Sequence, residues 1–214
     1  GLGLPLIIAV ITVPNLIARI GTERFGFLAL AWGLIGYAGA LDLGVGRAVT
    51  QRVAAIRGFA SEGEIPDVIA TAVKITASIG LIGLVLIALG GVLGGYDLIP
   101  RTTVSKNEVI ISILLLAVAI PMQAISATYR GVNEAYLNFK SISILRVFLG
   151  AANFGGPFLV ALYTDKLYWL VATLVVSRSI ALVAYRYFAY QCLPRNLLIT
   201  PGQYNPEQAR KLLH

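Results

Sequence analysis

The chain has 214 residues, of which 57% are hydrophobic and 13% are charged, and its formal net charge is +7. A soluble domain carries about 25% charged residues, so this composition excludes a domain whose whole surface faces water. In a helical membrane protein an excess of Lys and Arg belongs to the cytoplasmic loops, so the charge predicts a lipid bilayer as partner and no nucleic acid.

Six apolar stretches, taken in chain order, predict six membrane-spanning helices. The hydrocarbon core of a bilayer is about 30 Å thick, so a helix needs ~20 mostly apolar residues to cross it. Residues 109–129 contain no charge, and residues 68–96 contain one, Lys74. The fold class is therefore predicted to be an all-α, polytopic membrane protein, a six-transmembrane-helix bundle. The predicted spans are about 1–18, 25–46, 67–95, 108–129, 141–164 and 167–190.

The two ends of the sequence are typical of a piece of a longer protein. The chain opens inside an apolar helix, without an initiator Met or a basic leader, and stops in the polar stretch PGQYNPEQARKLLH. Residues 1–193 are predicted to form the six-helix unit. Residues 194–214 are predicted to be a cytoplasmic linker toward a missing second unit.

Positive charge predicts which side of the membrane each connection faces. The connections after spans 2 and 4, together with the end of span 6 and the tail, hold nine Lys and Arg residues. The connections after spans 1, 3 and 5 hold five. Both ends of the chain are therefore predicted to lie in the cytoplasm, with the protein in the plasma membrane.

Cysteine and histidine chemistry is nearly absent. Cys192 is the one cysteine, so no internal disulfide can form, and His214 is the one histidine. No Cys, His and carboxylate cluster has metal-ligand spacing, and we expect neither a metal site nor a cofactor.

Span 2 ends in an acid and a series of arginines, within LDLGVGRAVTQRVAAIR at residues 41–57. Behind the arginines, apolar residues recur at helical spacing and predict a short helix over 47–60, lying in the interface with its apolar side against lipid or protein. Arg57 is interpreted as a membrane anchor. Arg47 and Arg52 are candidates for a cationic substrate-binding cavity.

Four charged residues lie inside or at the end of predicted spans, where a charge costs at least ~2.5–3.5 kcal/mol. Arg178 is near mid-membrane and is the strongest candidate for binding an anion. Lys74 and Arg146 lie closer to the cytoplasmic side, where substrate binding and snorkelling to the interface are both open. Asp42 is a candidate for gating or for an ion pair with Arg47, Lys74 or Arg178.

Span 5 contains the stretch AANFGGPF, in which Asn153, Gly155, Gly156 and Pro157 predict a helix break. Proline removes a backbone donor, and interrupted helices often line the substrate path of transporters. A tolerated kink without a transport role is the alternative.

Two segments resemble a known family. LIARIGTERFGFLALAWGLIGYAGALDLGVGRAVTQRVA, residues 16–54, is similar to the first two helices of the polysaccharide-exporter flippases, including their DLG-G-A pattern. YRGVNEAYLNFKSISILR, residues 129–146, resembles their loop between helices 4 and 5. These flippases move O-antigen and similar lipid-linked oligosaccharides. They belong to the multidrug/oligosaccharidyl-lipid/polysaccharide exporter superfamily.

The resemblance implies two lobes, of which this chain is the N-terminal one. It implies a polyprenyl-diphosphate oligosaccharide as substrate, received by basic residues between the lobes and flipped outward by alternating access. It implies no enzymatic activity. A drug or cation antiporter of the same superfamily, which would need acidic or aromatic cavity residues, and a membrane-embedded polysaccharide-assembly enzyme, which would need a catalytic acid and base, are the alternatives.

Overall fold

The computed structural model of the chain describes residues 3–38, 44–95, 104–199 and 202–213. Within these ranges the chain is almost entirely helical and forms no strand. A 3-10 helix, Ala60–Glu64, and a π-helical turn, Gly91–Gly95, flank the third helix. The α-helices are α1 (Gly3–Ala38), α2 (Val45–Ile56), α3 (Ile65–Gly90), α4 (Lys106–Ala135), α5 (Phe139–Ala161), α6 (Leu167–Cys192), α7 (Arg195–Ile199) and α8 (Pro206–Leu213).

Within the described ranges, five helices, α1 and α3 to α6, are long and apolar enough to cross a bilayer. Their outward faces carry many exposed large apolar side chains, among them Leu6, Leu86 and Val183. Such faces are stable in lipid and costly in water. The predicted polytopic helical membrane protein is confirmed at this level.

The predicted span 1–18 and residues 25–38 of the predicted span 25–46 lie in α1, which is interrupted at Gly21. Residues 39–43 of the second span lie outside the described residues, and residues 45–46 belong to α2. Gly21 has φ 81° and ψ 163°, a conformation that glycine adopts without a side-chain clash. Ile8 lies beside Gly155 of α5, and the ring of Trp32 lies 5.0 Å from that of Phe154. A straight helix would hold Ile8 and Trp32 about 36 Å apart. The chain therefore reverses direction at Gly21, and both segments reach the middle of α5.

Helix α4 is the centre of the bundle and contacts α1, α2, α3, α5 and α6. In a membrane, helices associate through close packing, because lipid is as apolar as the side chains. A Cβ at Gly80 of α3 would lie 2.5 Å from Cα of Pro121, and one at Gly131 would collide with the carbonyl oxygen of Gly46. Glycine at these two positions lets α3 and α2 approach α4.

Two apolar clusters fill the bundle, one toward each end. One joins α2 with the start of α3 and the last turns of α4 and α6, and includes Val49, Val68 and Val132. The other joins both segments of α1 with α4 and the start of α6, and includes Leu28 and Leu170. We call the end formed by α2, α7, α8 and the last turns of α4 and α6 the basic end. The end at Gly21 and the start of α4 is the opposite end.

The short helix predicted over 47–60 is observed as α2, which ends at Ile56. Its apolar face, Val45, Val49, Val53 and Ile56, is buried against protein. A turn and the 3-10 helix follow, so the helix is shorter than the apolar spacing predicted.

The tail, residues 202–213, is part of the predicted linker and packs on the start of α3. The backbone N–H of Gln203 donates to Oδ1 of Asp67 at 2.7 Å, and that of Asn205 donates to Oγ1 of Thr71 at 3.0 Å. The side chain of Gln208 donates to Glu64 at 2.7 Å. Residues 202–213 are therefore docked on the bundle.

Candidate functional site: a cationic cavity in the bundle

A cavity of about 310 Å³ lies between the N-terminal turn of α1 and helices α4, α5 and α6. Three arginines, Arg130, Arg146 and Arg178, contribute to its wall, and none of the described residues that line it is a carboxylate. The cavity lies between the two apolar clusters. It thus places positive charge in the interior of a bundle whose outer faces suit lipid.

Arg178 is the deepest of the three arginines. It lies eleven residues into α6 and fourteen before its end, which is ~16 Å and ~21 Å along the helix. Leu174, one turn before it, is buried in the cluster toward the opposite end, and Ala181 is buried in the cluster toward the basic end. Helical spacing therefore holds Arg178 on the inward face of α6 between two apolar layers.

The hydrogen bonds of Arg178 leave its charge uncompensated. Nη2 donates to Oδ1 of Asn153 at 3.1 Å, and Nη1 donates to Oε1 of Gln123 at 3.4 Å. Nε is buried and has no hydrogen-bond partner among the described residues. Both acceptors are neutral amides, and no carboxylate within the described ranges forms an ion pair with Arg178. A buried charge held in this way favours an anion that can accept from the free N–H.

Arg146 and Arg130 lie about two helical turns from Arg178, toward the basic end. Arg146 is seven residues before Asn153 on α5, and Arg130 is seven residues after Gln123 on α4. Arg146 is exposed and forms no hydrogen bond or ion pair with any residue that the structure describes. Arg130 forms a loose ion pair with Glu134, with Nε 3.6 Å from Oε1. The cavity therefore offers a series of cationic groups from the basic end to mid-membrane.

The predicted helix break in α5 is not observed. The helix runs through Asn153, Gly155 and Gly156 to Ala161 with Pro157 inside it. Pro157 has no N–H to donate to the carbonyl of Asn153, yet membrane helices tolerate such a missing bond. Gly156 serves packing instead, since a Cβ there would lie 3.3 Å from Thr173 of α6. Asn153 has a polar role through its side chain, which accepts from Arg178.

The other predicted site residues do not line this cavity. Lys74 lies in a separate cavity at the basic end. Arg47 is exposed on α2, whereas Arg52 pairs with Glu64, Nη2 to Oε2 at 3.0 Å, and donates to Gln208. Asp42 lies outside the described residues. Arg57 donates to the carbonyl oxygen of Ala135 at 3.1 Å, so it binds the end of α4.

Sequence reasoning missed Gln123 and Arg130 as cavity residues. Gln123 carries no charge, and Arg130 lies at the predicted membrane border, so depth and charge gave no signal for either. The spacing of these residues does give a signal. Residues 123, 126, 127 and 130 lie on one face of the helix, and all four line the cavity.

A second polar cluster, at the opposite end, was also missed. Glu108 is 5% exposed, and its Oε1 lies 3.2 Å from Nε of Arg24. The same oxygen accepts from the backbone N–H of Leu167 at 2.5 Å, and Nη1 of Arg24 lies 3.5 Å from Asp165. We call these residues the Arg24–Glu108 cluster. It joins the turn at Gly21 to the first turns of α4 and α6.

One curated relative is similar to most of this chain. It is described as "Putative O-antigen transporter" from Shigella flexneri, and it is 26% identical over 190 residues. The match covers 88% of this chain and 44% of the relative, so the chain spans less than half the length of that protein. No family model matches the sequence. No solved structure matches it either. The chain is thus similar to part of a protein named as a transporter, and its long apolar helices suit a membrane.

Proposed function

We propose that the chain is the N-terminal lobe of a flippase that moves polyprenyl-diphosphate-linked oligosaccharide from the cytoplasmic to the outer leaflet of the plasma membrane, for polysaccharide export. The observation that carries the proposal is Arg178, a mid-membrane guanidinium whose hydrogen-bond partners among the described residues are all neutral amides. Its charge is available to a substrate. The name of the relative, an O-antigen transporter, supports this substrate class.

Arginine suits a diphosphate better than other groups do. Its fork donates two parallel hydrogen bonds to phosphate oxygens, and it stays protonated in an apolar setting. The cavity carries Arg146 and Arg178 uncompensated, with Arg130 partly offset by Glu134. This net positive charge matches a diphosphate and opposes a cationic drug.

The size of the cavity limits what this lobe holds alone. At about 310 Å³ it lies at the low end of ligand pockets, which run from about 300 to 1,000 Å³. Such a space takes a diphosphate and leaves no room for an oligosaccharide. We propose that a second lobe of the same protein completes the path and receives the sugars, while the polyprenyl chain stays in lipid.

The reversal at Gly21 supports the orientation that we propose. If each segment of α1 spans the bilayer separately, the chain crosses the membrane six times, and both ends then lie on one side. Nine Lys and Arg residues in connections on that side against five on the other support a cytoplasmic basic end. A diphosphate arriving from the cytoplasm would then meet Arg130 and Arg146 before Arg178. Rocking of the two lobes would open this path outward.

The test uses the intact protein reconstituted into proteoliposomes. Translocation of a labelled polyprenyl-diphosphate oligosaccharide is compared between wild type, Arg178→Gln and the control Arg47→Gln, an exposed arginine outside the cavity. We expect Arg178→Gln to lower the rate about 100-fold or more, the value of two charge-assisted hydrogen bonds of ~1.5 kcal/mol or more each, and the control to transport like wild type. Unfolding temperature and monodispersity establish that each variant is folded.

A folded Arg178→Gln variant that transports at the wild-type rate would contradict the role of the cavity. A wild-type protein that moves no lipid-linked sugar, but exchanges drugs or cations, would favour the antiporter alternative.

A further inference from the structure

A second cavity, of about 370 Å³, lies at the basic end between α3, α4, α6 and the tail. Lys74, Tyr129 and Tyr190 supply its polar groups, and Ile69, Val73 and Leu193 belong to its apolar wall. None of the described residues that line it is a carboxylate. The cavity is therefore amphipathic, with one cation beside two phenol rings.

Lys74 has a free charge, as Arg178 does in the first cavity. Its Nζ lies 5.4 Å from the ring centroid of Tyr204 in the tail, and it forms no ion pair with a described carboxylate. Asp67 lies two turns earlier on α3 but already accepts from the backbone of Gln203. Among the residues with described positions, the charge of Lys74 is met by the aromatic face of Tyr204 alone.

A second cation approaches the cavity from α6. The guanidinium of Arg186 lies 5.6 Å from the ring centroid of Tyr190, whose ring is 6.2 Å from that of Tyr129. Tyr190 is 38% exposed, so this edge of the cavity is open to the surroundings of the bundle. Arg186 thus adds a second positive charge beside the tyrosine pair, outside the residues that line the cavity.

The depth of the cavity fits a lipid head group. Lys74 lies nine residues into α3, or ~14 Å, whereas Tyr190 is two residues before the end of α6. The cavity therefore extends from the end of the bundle to the level at which acyl chains begin. Basic pockets between membrane helices at this level bind anionic lipid head groups.

We propose that this cavity is a binding site for an anionic phospholipid, separate from the substrate cavity. The phosphate lies between Lys74 and the Tyr190 hydroxyl, and the upper acyl carbons lie on Ile69, Val73 and Leu193. Tyr204 and Gly202 close the site from the tail, so that bound lipid holds residues 202–205 against α3.

Contacts made by α4 keep the two cavities apart. Residues 123, 126, 127 and 130 form the stripe that faces Arg178, whereas Tyr129 lies off that stripe and faces Lys74. Helix α3 contributes residues to the second cavity and none of the described lining of the first. Lys74 therefore has no direct access to a substrate bound at Arg178.

The test measures lipid binding to the intact protein in mild detergent by native mass spectrometry. The protein is titrated with phosphatidylglycerol and, separately, with phosphatidylcholine of the same acyl chains. Three variants are compared with wild type: Lys74→Gln, Val73→Trp, which fills the cavity and keeps the charge, and Lys140→Gln. Lys140 is exposed at the basic end outside the cavity, so it is the matched control for charge.

We expect phosphatidylglycerol to bind wild type more tightly than phosphatidylcholine does. Lys74→Gln should weaken phosphatidylglycerol about fivefold, the value of one basic residue at the membrane surface, and Val73→Trp should weaken both lipids. Lys140→Gln should stay within about twofold of wild type. Phosphatidylglycerol should also slow hydrogen exchange at the amides of Gln203 and Asn205.

Two results would overturn the proposal. Equal losses in Lys74→Gln and Lys140→Gln would mean that diffuse surface charge attracts the lipid. Unchanged binding in Val73→Trp would mean that Lys74 reaches the membrane interface and the cavity stays empty. Because no translocation is measured, failure here leaves the substrate role of Arg178 intact.

Discussion

Two arginines inside this bundle meet very different surroundings. Arg24, at the opposite end, faces the carboxylates of Glu108 and Asp165, and Glu108 also binds a backbone N–H of α6. Arg178, at mid-membrane, faces two amides and keeps one N–H without a partner among the described residues. A neutralised arginine joins helices, whereas an uncompensated one attracts a ligand. The surroundings of a membrane arginine, more than its depth, thus indicate its role.

The largest effect is expected on stability at the Arg24–Glu108 cluster. Glu108→Ala leaves Arg24 without its nearer carboxylate and the Leu167 N–H without an acceptor. Removing one partner of a buried ion pair costs about 3–5 kcal/mol, so the unfolding free energy in detergent should fall by about this amount. Transport per folded molecule should be unchanged. A double-mutant cycle with Arg24→Gln should give a coupling of at least 1 kcal/mol, on the order seen for residues in one network. Independent, additive losses would show that the two residues do not interact.

The next prediction gives Arg178 a carboxylate neighbour, as Arg24 has. Asn153→Asp places a carboxylate where the amide accepts from Nη2 of Arg178, so the arginine becomes neutralised as Arg24 is. Transport should fall about 10- to 100-fold, as for loss of a charge-assisted contact to substrate, while the unfolding temperature stays equal or rises. Asn153→Leu is the control, since it removes the acceptor without adding charge. Transport that survives Asn153→Asp would contradict a substrate contact at Arg178.

The smallest effect is expected for Arg178→Lys. Lysine keeps the positive charge but replaces the planar fork by a point charge, so one of two phosphate hydrogen bonds is lost. We expect about a tenfold lower transport rate, equal to about 1.4 kcal/mol, with a steeper rise of KM than fall of kcat. A rate as low as that of Arg178→Gln would instead show that the positive charge alone contributes nothing to transport at this position.

Hydrophobic length predicted most of the fold. The apolar runs give α3, α5 and α6 to within a few residues, because each run must match the thickness of the bilayer. Helix α4 continues six residues beyond its predicted end, through Ala135. Those residues include Asn133, which is fully buried and donates to the carbonyl oxygens of Tyr129 and Tyr185. The hydropathy pattern assigns Asn133 to a loop because hydropathy contains no information about hydrogen bonds to another helix.

The depth of a charge along its helix predicted two residues of the candidate cavity. The direction in which a side chain projects from its helix could not be predicted in the same way. Arg178 and Arg146 were placed by depth, and both line the cavity. Lys74 lies at a depth similar to that of Arg146. It projects from α3 toward Tyr204, however, on another side of α4. The sequence specifies how far along a helix a charge lies. Which neighbour it faces depends on packing contacts such as that of Gly80 with Pro121, which no single run reveals.

The Arg24–Glu108 cluster has a consequence for how the protein enters the membrane. Arg24 and Glu108 are 84 residues apart, and Glu108 and the Leu167 N–H are 59 residues apart. Membrane segments emerge in order from the ribosome. Arg24 therefore has no Glu108 partner until α4 is synthesised, and Glu108 has no Leu167 N–H partner until α6 is synthesised. During that interval each charge needs water or the insertion machinery as a partner. Biogenesis of this bundle should therefore pass through an intermediate with α1 to α5 loosely assembled. A nascent chain arrested before residue 167 should be a better substrate for membrane proteases than one arrested after α6.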